Sequence, residues 1–295
     1  MRRASHPPSS LNRAIKRLVG IAALPLAVGA AFLFAQQGSP ASVRFAILGD
    51  RTGETQPGIY ETVWREVVAA KPAFVLGVGD SIQGLDDATA EKEWLEFRRI
   101  LEPFRRIPWY PTAGNHDVWS AASEKLYLKN SGAPALDYSF DNGPAHFTVL
   151  DNSRDDILQT DEITFLEQDL KAHAAQPVKF IVSHRPSWLL HVMLRSPAFP
   201  LHQLALKYGV HYVIAGHVHD MMHLSLDGVE YISVPSAGGH LRASGKFEDG
   251  WFFGYIMVTV SGTEATFEVR ELPPPNGEGR STPLAAWGPV GLLRK

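Results

Sequence analysis

Cysteine is absent from all 295 residues. Without it the chain can hold no disulfide, no lipid-modified cysteine and no thiolate metal site, so stability must come from a packed core and any metal must be held by oxygen and imidazole. Also missing are an internal repeat, an interior linker, a nucleophile elbow of the Gly-x-Ser-x-Gly kind and a His-Glu-x-x-His helix. The stretch from Gly239 to Lys246 has the wrong glycine spacing for a phosphate-cradling loop, and Phe247 follows the lysine. Beyond the N-terminus basic charge is outnumbered by acid. Arg2, Arg3, Arg13, Lys16 and Arg17 stand without an acid within residues 1–35, so a formal charge of −3 for the chain becomes −8 for the remainder. Such a surface repels a dense polyanion, and duplex nucleic acid is not expected as a partner. No feature points to a protein partner.

What is present begins with an export pattern. The basic residues precede an uncharged run over 18–35, an n-region followed by an h-region. That run is long for a signal peptide and borderline for a membrane span. Pro25 and the sequences Val28-Gly29-Ala30 and Leu33-Phe34-Ala35 favour cleavage; the alternative is a retained anchor that tethers the protein through residues 18–35. In both cases the folded part is expected outside, in the periplasm or the extracellular space. The expected organisation is a signal peptide or signal anchor over 1–35, one domain over 36–272 and an extended Pro- and Gly-rich tail over 273–295. An apolar fraction of 45% and a charged fraction of 20% suit an ordinary globular core.

Residues 43–48 form a β-rich run ending at Gly49-Asp50, and 57–70 carries apolar residues at helical spacing through Ile59, Val63, Val67 and Val68. A second strand over 73–78 ends at Gly79-Asp80, a second helix is predicted over 88–101, and a third strand over 107–111 leads to Gly114-Asn115-His116-Asp117. Alternation of this kind predicts parallel strands covered by helices. Two antiparallel strands are predicted around Asp141-Asn142-Gly143-Pro144, then a helix over 161–174. A strand over 179–182 ends at Ser183-His184. A helix over 201–208 precedes a strand over 211–215 that ends at Gly216-His217-Val218-His219. Asp227-Gly228 marks a hairpin, and Ser261-Gly262 a final strand pair.

Five strand ends therefore offer Asp50, Asp80, Asn115 with His116, His184, and His217 with His219. Carboxylate, amide oxygen and imidazole suit zinc, manganese or iron, and six ligands overfill one tetrahedral site. Each piece alone is ambiguous, since an isolated Gly-Asp is most often a turn. Gly216-His217-Val218-His219 is more specific, because alternate residues of a strand point the same way. Arg51 and Arg185 adjoin proposed ligands and are candidates for a phosphate oxygen, or equally for ion pairs with nearby acids. The cluster Arg98, Arg99, Arg105 and Arg106 reads as a solvated face. Trp119, Trp188 and Leu189, in loops expected over 117–133 and 186–200, are candidates for a pocket wall or for core.

The five blocks together resemble those of the calcineurin-like metallophosphoesterases, over roughly residues 43–240. The resemblance implies a mixed α/β fold, a four-layer α/β/β/α sandwich with two mixed sheets and two divalent or trivalent metal ions (Mn, Fe or Zn) at the strand carboxyl ends. It further implies Asp80, Asn115, His184 and His217 around one metal and Asp50, Asp80 and His219 around the other. His116 would protonate the leaving oxygen, with Asp117 orienting it. The implied activity is hydrolysis of a phosphate mono- or diester by attack of metal-bound hydroxide. The first block departs from the family's Asp-x-His, reading Asp50-Arg51-Thr52. The purple acid phosphatase branch also lacks that histidine but supplies a tyrosine three residues after the second aspartate, where this chain has Gln83. One metal is thus expected to be weakly held, completed by Thr52, Gln83, water or His240. The alternative function is a catalytically weak or inactive member that binds a phosphorylated or anionic ligand at the cell envelope.

Overall fold

The computed structural model describes residues 42–274 and 278–288. The export signal over 1–35, the tether over 18–35 and the tail residues 275–277 and 289–295 lie outside the described residues. Among the described residues no helix is long and apolar enough to cross a membrane.

The first half follows the predicted alternation. Strands β1 (Ser42–Leu48), β2 (Val75–Gly77) and β3 (Trp109–Pro111) lie parallel, connected by helices α1 (Ile59–Ala69) and α2 (Ala90–Leu101). Helix α3 (Ala121–Asn130) follows. Strands β4 (Tyr138–Asn142) and β5 (Ala145–Val149) form the antiparallel pair, and α4 (Thr160–Ala172) carries the chain to β6 (Val178–Val182), parallel to β5. Helices α5 (Leu189–Met193) and α6 (Pro200–Tyr208) precede β7 (Tyr212–Ala215), and β8 (Met222–Leu226) turns into β9 (Val229–Ser233). Strands β10 (Gly254–Ser261), β11 (Glu264–Glu271) and β12 (Ser281–Pro283) finish the chain. One sheet has the order β12-β11-β10-β1-β2-β3 and the other β4-β5-β6-β7-β9-β8, both mixed.

The period-2 alternation of the strands explains the layering. In β6, Val178, Phe180 and Val182 point into the core shared with the first sheet, while Ile181 joins the core under α4, α5 and α6 with Leu166, Leu170, Trp188 and Leu204. Aromatic rings fill the space between the sheets: Phe45 stacks on Phe74 at 4.7 Å, and Phe147 on Phe180 at 4.7 Å. Each such buried ring contributes roughly 1.5–3 kcal/mol relative to exposure. On the outer side of the first sheet, Trp64 of α1 packs against Phe104 and Trp109, and Tyr60 against Phe97 of α2. Helix, sheet, sheet and helix are the four layers.

Three expectations change. The interval 117–133 is not a loop, because Ser120 and Ser123 form a capping box that starts α3. Trp188 is fully buried in the second core, so it is core and not pocket wall. The tail is not simply extended: β12 pairs with β11, and the fully buried Trp287 packs on Phe247 and Phe252. An indole has enough apolar surface to draw a Pro-rich segment back onto the sheet.

Candidate active site

The five strand ends meet. Asp50 follows β1, Asp80 follows β2, Asn115 and His116 follow β3, His184 follows β6, and His217 and His219 follow β7, so each sheet delivers its carboxyl-terminal ends to one crevice. His184 is the hub. Its Nδ1 lies 2.8 Å from the Val78 carbonyl oxygen, which can only accept, so that nitrogen carries the hydrogen. The Nε2 lone pair then faces Asn115 Oδ1 at 3.0 Å, His217 Nδ1 at 3.1 Å and Asp80 Oδ1 at 3.3 Å. His219 repeats the device, with Nδ1 2.7 Å from the His240 carbonyl oxygen. Its Nε2 is buried without a hydrogen bond, 3.2 Å from Asp50 Oδ2. Metal-ligating histidines are held in this way, a carbonyl on one nitrogen fixing the tautomer and aiming the other nitrogen at the carboxylates. Convergent lone pairs and an orphaned buried Nε2 fit a cation, and atoms of Asp80, His184 and His217 lie within 4.8 Å of one another.

Electrostatics agree with this. Burial alone would lower the His184 pKa, but the charge and hydrogen bond of Asp80 raise it to about 9. Burial likewise opposes ionisation of Asp80, yet His184 outweighs it and holds the carboxyl well below its usual range. His217 is pushed down to about 4, first by burial and then by the neighbouring His184 charge. Against burial, the carboxylates of the crevice favour positive charge beside them, Asp80 at His184 and Asp50 at His219.

The backbone is strained to bring these groups together. Asp80 (φ 56°), His217 (φ 68°) and His219 (φ 60°) are in the left-handed region, at roughly 1–3 kcal/mol each. A Cβ on Gly114 would stand 2.2 Å from Asp80 Oδ1, and one on Gly79 would stand 2.5 Å from His184 Nδ1. The glycines before Asp80, Asn115 and His217 stand where backbone and another ligand side chain touch, Gly216 facing Asp50 Oδ1 at 2.5 Å from its would-be Cβ.

Asp117 does not orient His116. Its fully buried carboxylate accepts from the backbone N–H of Ser81 (2.8 Å), Ile82 (3.2 Å) and Gly114 (3.0 Å), binding the second strand end to the third. Burial, and then the charge of Asp80, push its pKa up to about 7 against those donors. The His116 ring is held by the Gln83 carbonyl oxygen, 2.5 Å from Nδ1, and its backbone N–H donates to Asp80 Oδ1 at 2.9 Å. Thr52 and Gln83, the suggested substitutes for the missing imidazole, are tied to each other: Thr52 Oγ1 donates to Gln83 Oε1 at 2.6 Å. His240 contributes its carbonyl to the site, while its ring is half exposed and 3.7 Å from Glu54.

The two arginines are committed to the scaffold. Arg51 Nη1 donates to the Ser81 carbonyl at 2.8 Å and its guanidinium lies over Phe97. Arg185 Nη1 pairs with Asp156 at 2.5 Å, and its Nε and Nη2 reach the Ser153 carbonyl. Of the two, Arg185 still acts on the site, its charge lowering the His217 pKa after burial and His184.

Sequence reasoning missed Asn152, which is 3% exposed. Its Oδ1 accepts from the backbone N–H of His184 (3.0 Å) and Arg185 (2.9 Å), and its Nδ2 donates to the Arg185 carbonyl (2.8 Å). The available signal was its place: Asp151-Asn152-Ser153 follows β5, which is parallel to β6, so it too is a strand carboxyl end.

Comparison with known proteins agrees with the geometry. Tartrate-resistant acid phosphatase type 5 of Rattus norvegicus is 27% identical over 269 residues, covering 76% of this chain and 81% of that protein. Among solved structures, a purple acid phosphatase from yellow lupin (Lupinus luteus) seeds superposes with a TM-score of 0.62 at 18% identity, over 88% of this chain and 57% of the lupin protein's length. The anchor in the inner membrane complex of Plasmodium shares the fold with a TM-score of 0.56 at 15% identity, covering 86% and 90%. Residues 43–221 match the calcineurin-like phosphoesterase family, well over half of the chain, so the protein belongs to that family of metal-dependent phosphoester hydrolases.

Proposed function

We propose that this is an exported enzyme that hydrolyses a phosphate mono- or diester in the periplasm or extracellular space, with His116 as the acid at the leaving oxygen. The observation that carries the reading is the pose of His116. Its Nδ1 is occupied by the Gln83 carbonyl while its backbone N–H donates to Asp80, one of the candidate ligands, which leaves Nε2 for substrate. Asp80, Asn115, His184 and His217 would hold one metal ion, and Asp50, Asp80 and His219 a second, for which manganese, iron and zinc all suit the donors. Bound there, the metals supply a Lewis acid for the phosphoryl oxygens and lower the pKa of water. The Gln83 carbonyl fixes the ring, Nε2–H of the imidazolium passes its proton to the departing alkoxide, and Asp117 keeps the two strand-end loops in register. Export rests on the basic and apolar pattern of residues 1–35.

The test is the His116→Ala variant of protein expressed without residues 1–35, loaded with each metal and assayed on aryl phosphate mono- and diesters. A loss of roughly 10²–10⁴ in kcat with unchanged metal content is expected for a lost general acid. Metal binding without turnover in the unsubstituted protein would instead favour an anionic-ligand binding protein. That second reading draws on Thr52, whose hydroxyl is engaged with Gln83 rather than available where the family carries an imidazole.

A further inference from the structure

An apolar cavity of about 200 Å³ lies on the same edge of the second sheet as the active site. Ile157 and Ile163 line it from the segment after β5 and the first turn of α4, Phe199 and Leu201 from the start of α6, and Ser187 and His191 from the chain after β6. The first and last of these segments leave the carboxyl ends of β5 and β6, where Asn152 and His184 stand. Two links tie the cavity to the crevice. Ser187 is three residues from His184, a separation of at most about 11 Å. Arg185, whose charge lowers the His217 pKa, pairs with Asp156, the residue before Ile157.

The floor of the cavity is preformed. Leu201 is 3% exposed, and Phe199 is 6% exposed with its ring stacked on His191 at 4.6 Å, so these walls belong to the packed second core and need no ordering on binding. The mouth is apolar as well. Eight large apolar side chains are exposed among the described residues, and four of them border this cavity: Ile157, and Leu190, Met193 and Leu194 within three residues of His191. Apolar side chains gathered in the open around a concavity mark a binding surface. An apolar cavity of about 150 Å³ holds a benzene ring, so this one has room for several methylenes.

We propose that this cavity is the subsite for the apolar end of the substrate's alcohol, and that the preferred esters are phosphates of long-chain alcohols. They bind as monomers, with the phosphate at the candidate metal ligands and the chain running past Ser187 to Phe199 and Leu201. The inference rests on the phosphoesterase reading above and names its substrate class. A polyhydroxylated alcohol would leave its hydroxyls unpaired against these walls.

The experiment compares kcat/KM for ethyl, octyl and decyl phosphate, each below and above its micelle concentration, in the metal-loaded full chain and its Ile157→Asp and Ser187→Trp variants. Each methylene that enters the cavity is worth about fourfold, so monomeric decyl phosphate is expected to exceed ethyl phosphate by roughly 10–100-fold. Ile157→Asp sets a charge at the mouth, at a side chain 64% exposed, and Ser187→Trp fills the space behind it. Both are expected to remove most of the decyl advantage while turnover of ethyl phosphate is unchanged, which also shows that they are folded. Equal kcat/KM for the three esters in wild type, an advantage that survives both variants, or one that appears only with micelles overturns the proposal. If no ester is turned over, the phosphoesterase reading falls instead. Calorimetric binding of decyl against ethyl phosphate to the same three proteins then decides on the cavity, and equal affinities for the two esters in wild type overturn it.

Discussion

Asn152 is where the reading of the active site is most exposed to refutation. One amide side chain makes three hydrogen bonds, two to the backbone N–H of His184 and Arg185 and one to the carbonyl of Arg185. His184 is fully buried, so replacing Asn152 by alanine strands a donor that water cannot easily reach. An unsatisfied buried group costs about 1–3 kcal/mol. With two N–H groups and one carbonyl affected, and the last two partly hydrated, the expected loss is about 2–5 kcal/mol. For a chain of this size, that is a fall in Tm of roughly 5–15 °C. The loss should be measured on metal-free protein, because bound metal masks it by mass action. Metal affinity is a separate readout: releasing the turn that aims His184 is expected to weaken binding by roughly 10–100-fold. Asn152→Asp keeps an acceptor for both N–H groups and loses only the donor to the Arg185 carbonyl, so it should lie between alanine and wild type in Tm. An alanine variant that melts with wild type and titrates metal identically would show that Asn152 does not position His184.

Gly79→Ala should abolish metal binding before it abolishes the fold. Its Cβ would sit 2.5 Å from His184 Nδ1 and 2.9 Å from the Gly114 Cα at φ 107°; retained metal content would refute the close-approach argument. Asp137 gives a pH test. Its pKa is raised to about 6, first by burial and then by the charges of Asp151 and Asp161, against a hydrogen bond from the Asp151 N–H. The folded state therefore binds this proton more tightly than the unfolded chain, and stability falls as pH rises through about 4 to 6 and then levels. Asp137→Asn keeps the acceptor and removes the charge, so its Tm advantage should grow over that window; a constant difference, or one that shrinks, refutes the assignment.

The candidate ligands were legible because metal chemistry restricts both residue type and location. Asp50, Asp80, Asn115, His184, His217 and His219 are unusual residues to end an apolar strand with, and a parallel sheet gathers such ends at one edge. What holds them was not legible. The Val78, Gln83 and His240 carbonyls orient His184, His116 and His219, and a backbone carbonyl is the same atom whatever residue bears it. Only the local φ and ψ decide where it points. Asp117 shows the same limit from the other side. Its adjacency to His116 suggested a partner for the ring, but a carboxylate three residues after Gly114 reaches back to that residue's N–H, while the His116 ring is held by the Gln83 carbonyl. Asn152 was obscured because its strand was read as half of a hairpin, although β5 pairs with β4 on one side and runs parallel to β6 on the other. Pairing partners set by tertiary structure, not by local pattern, determine which strand ends face the crevice. The candidate ligands that converge in the crevice can thus be read from strand termini, while the groups that aim them become visible only when the sheets are assembled.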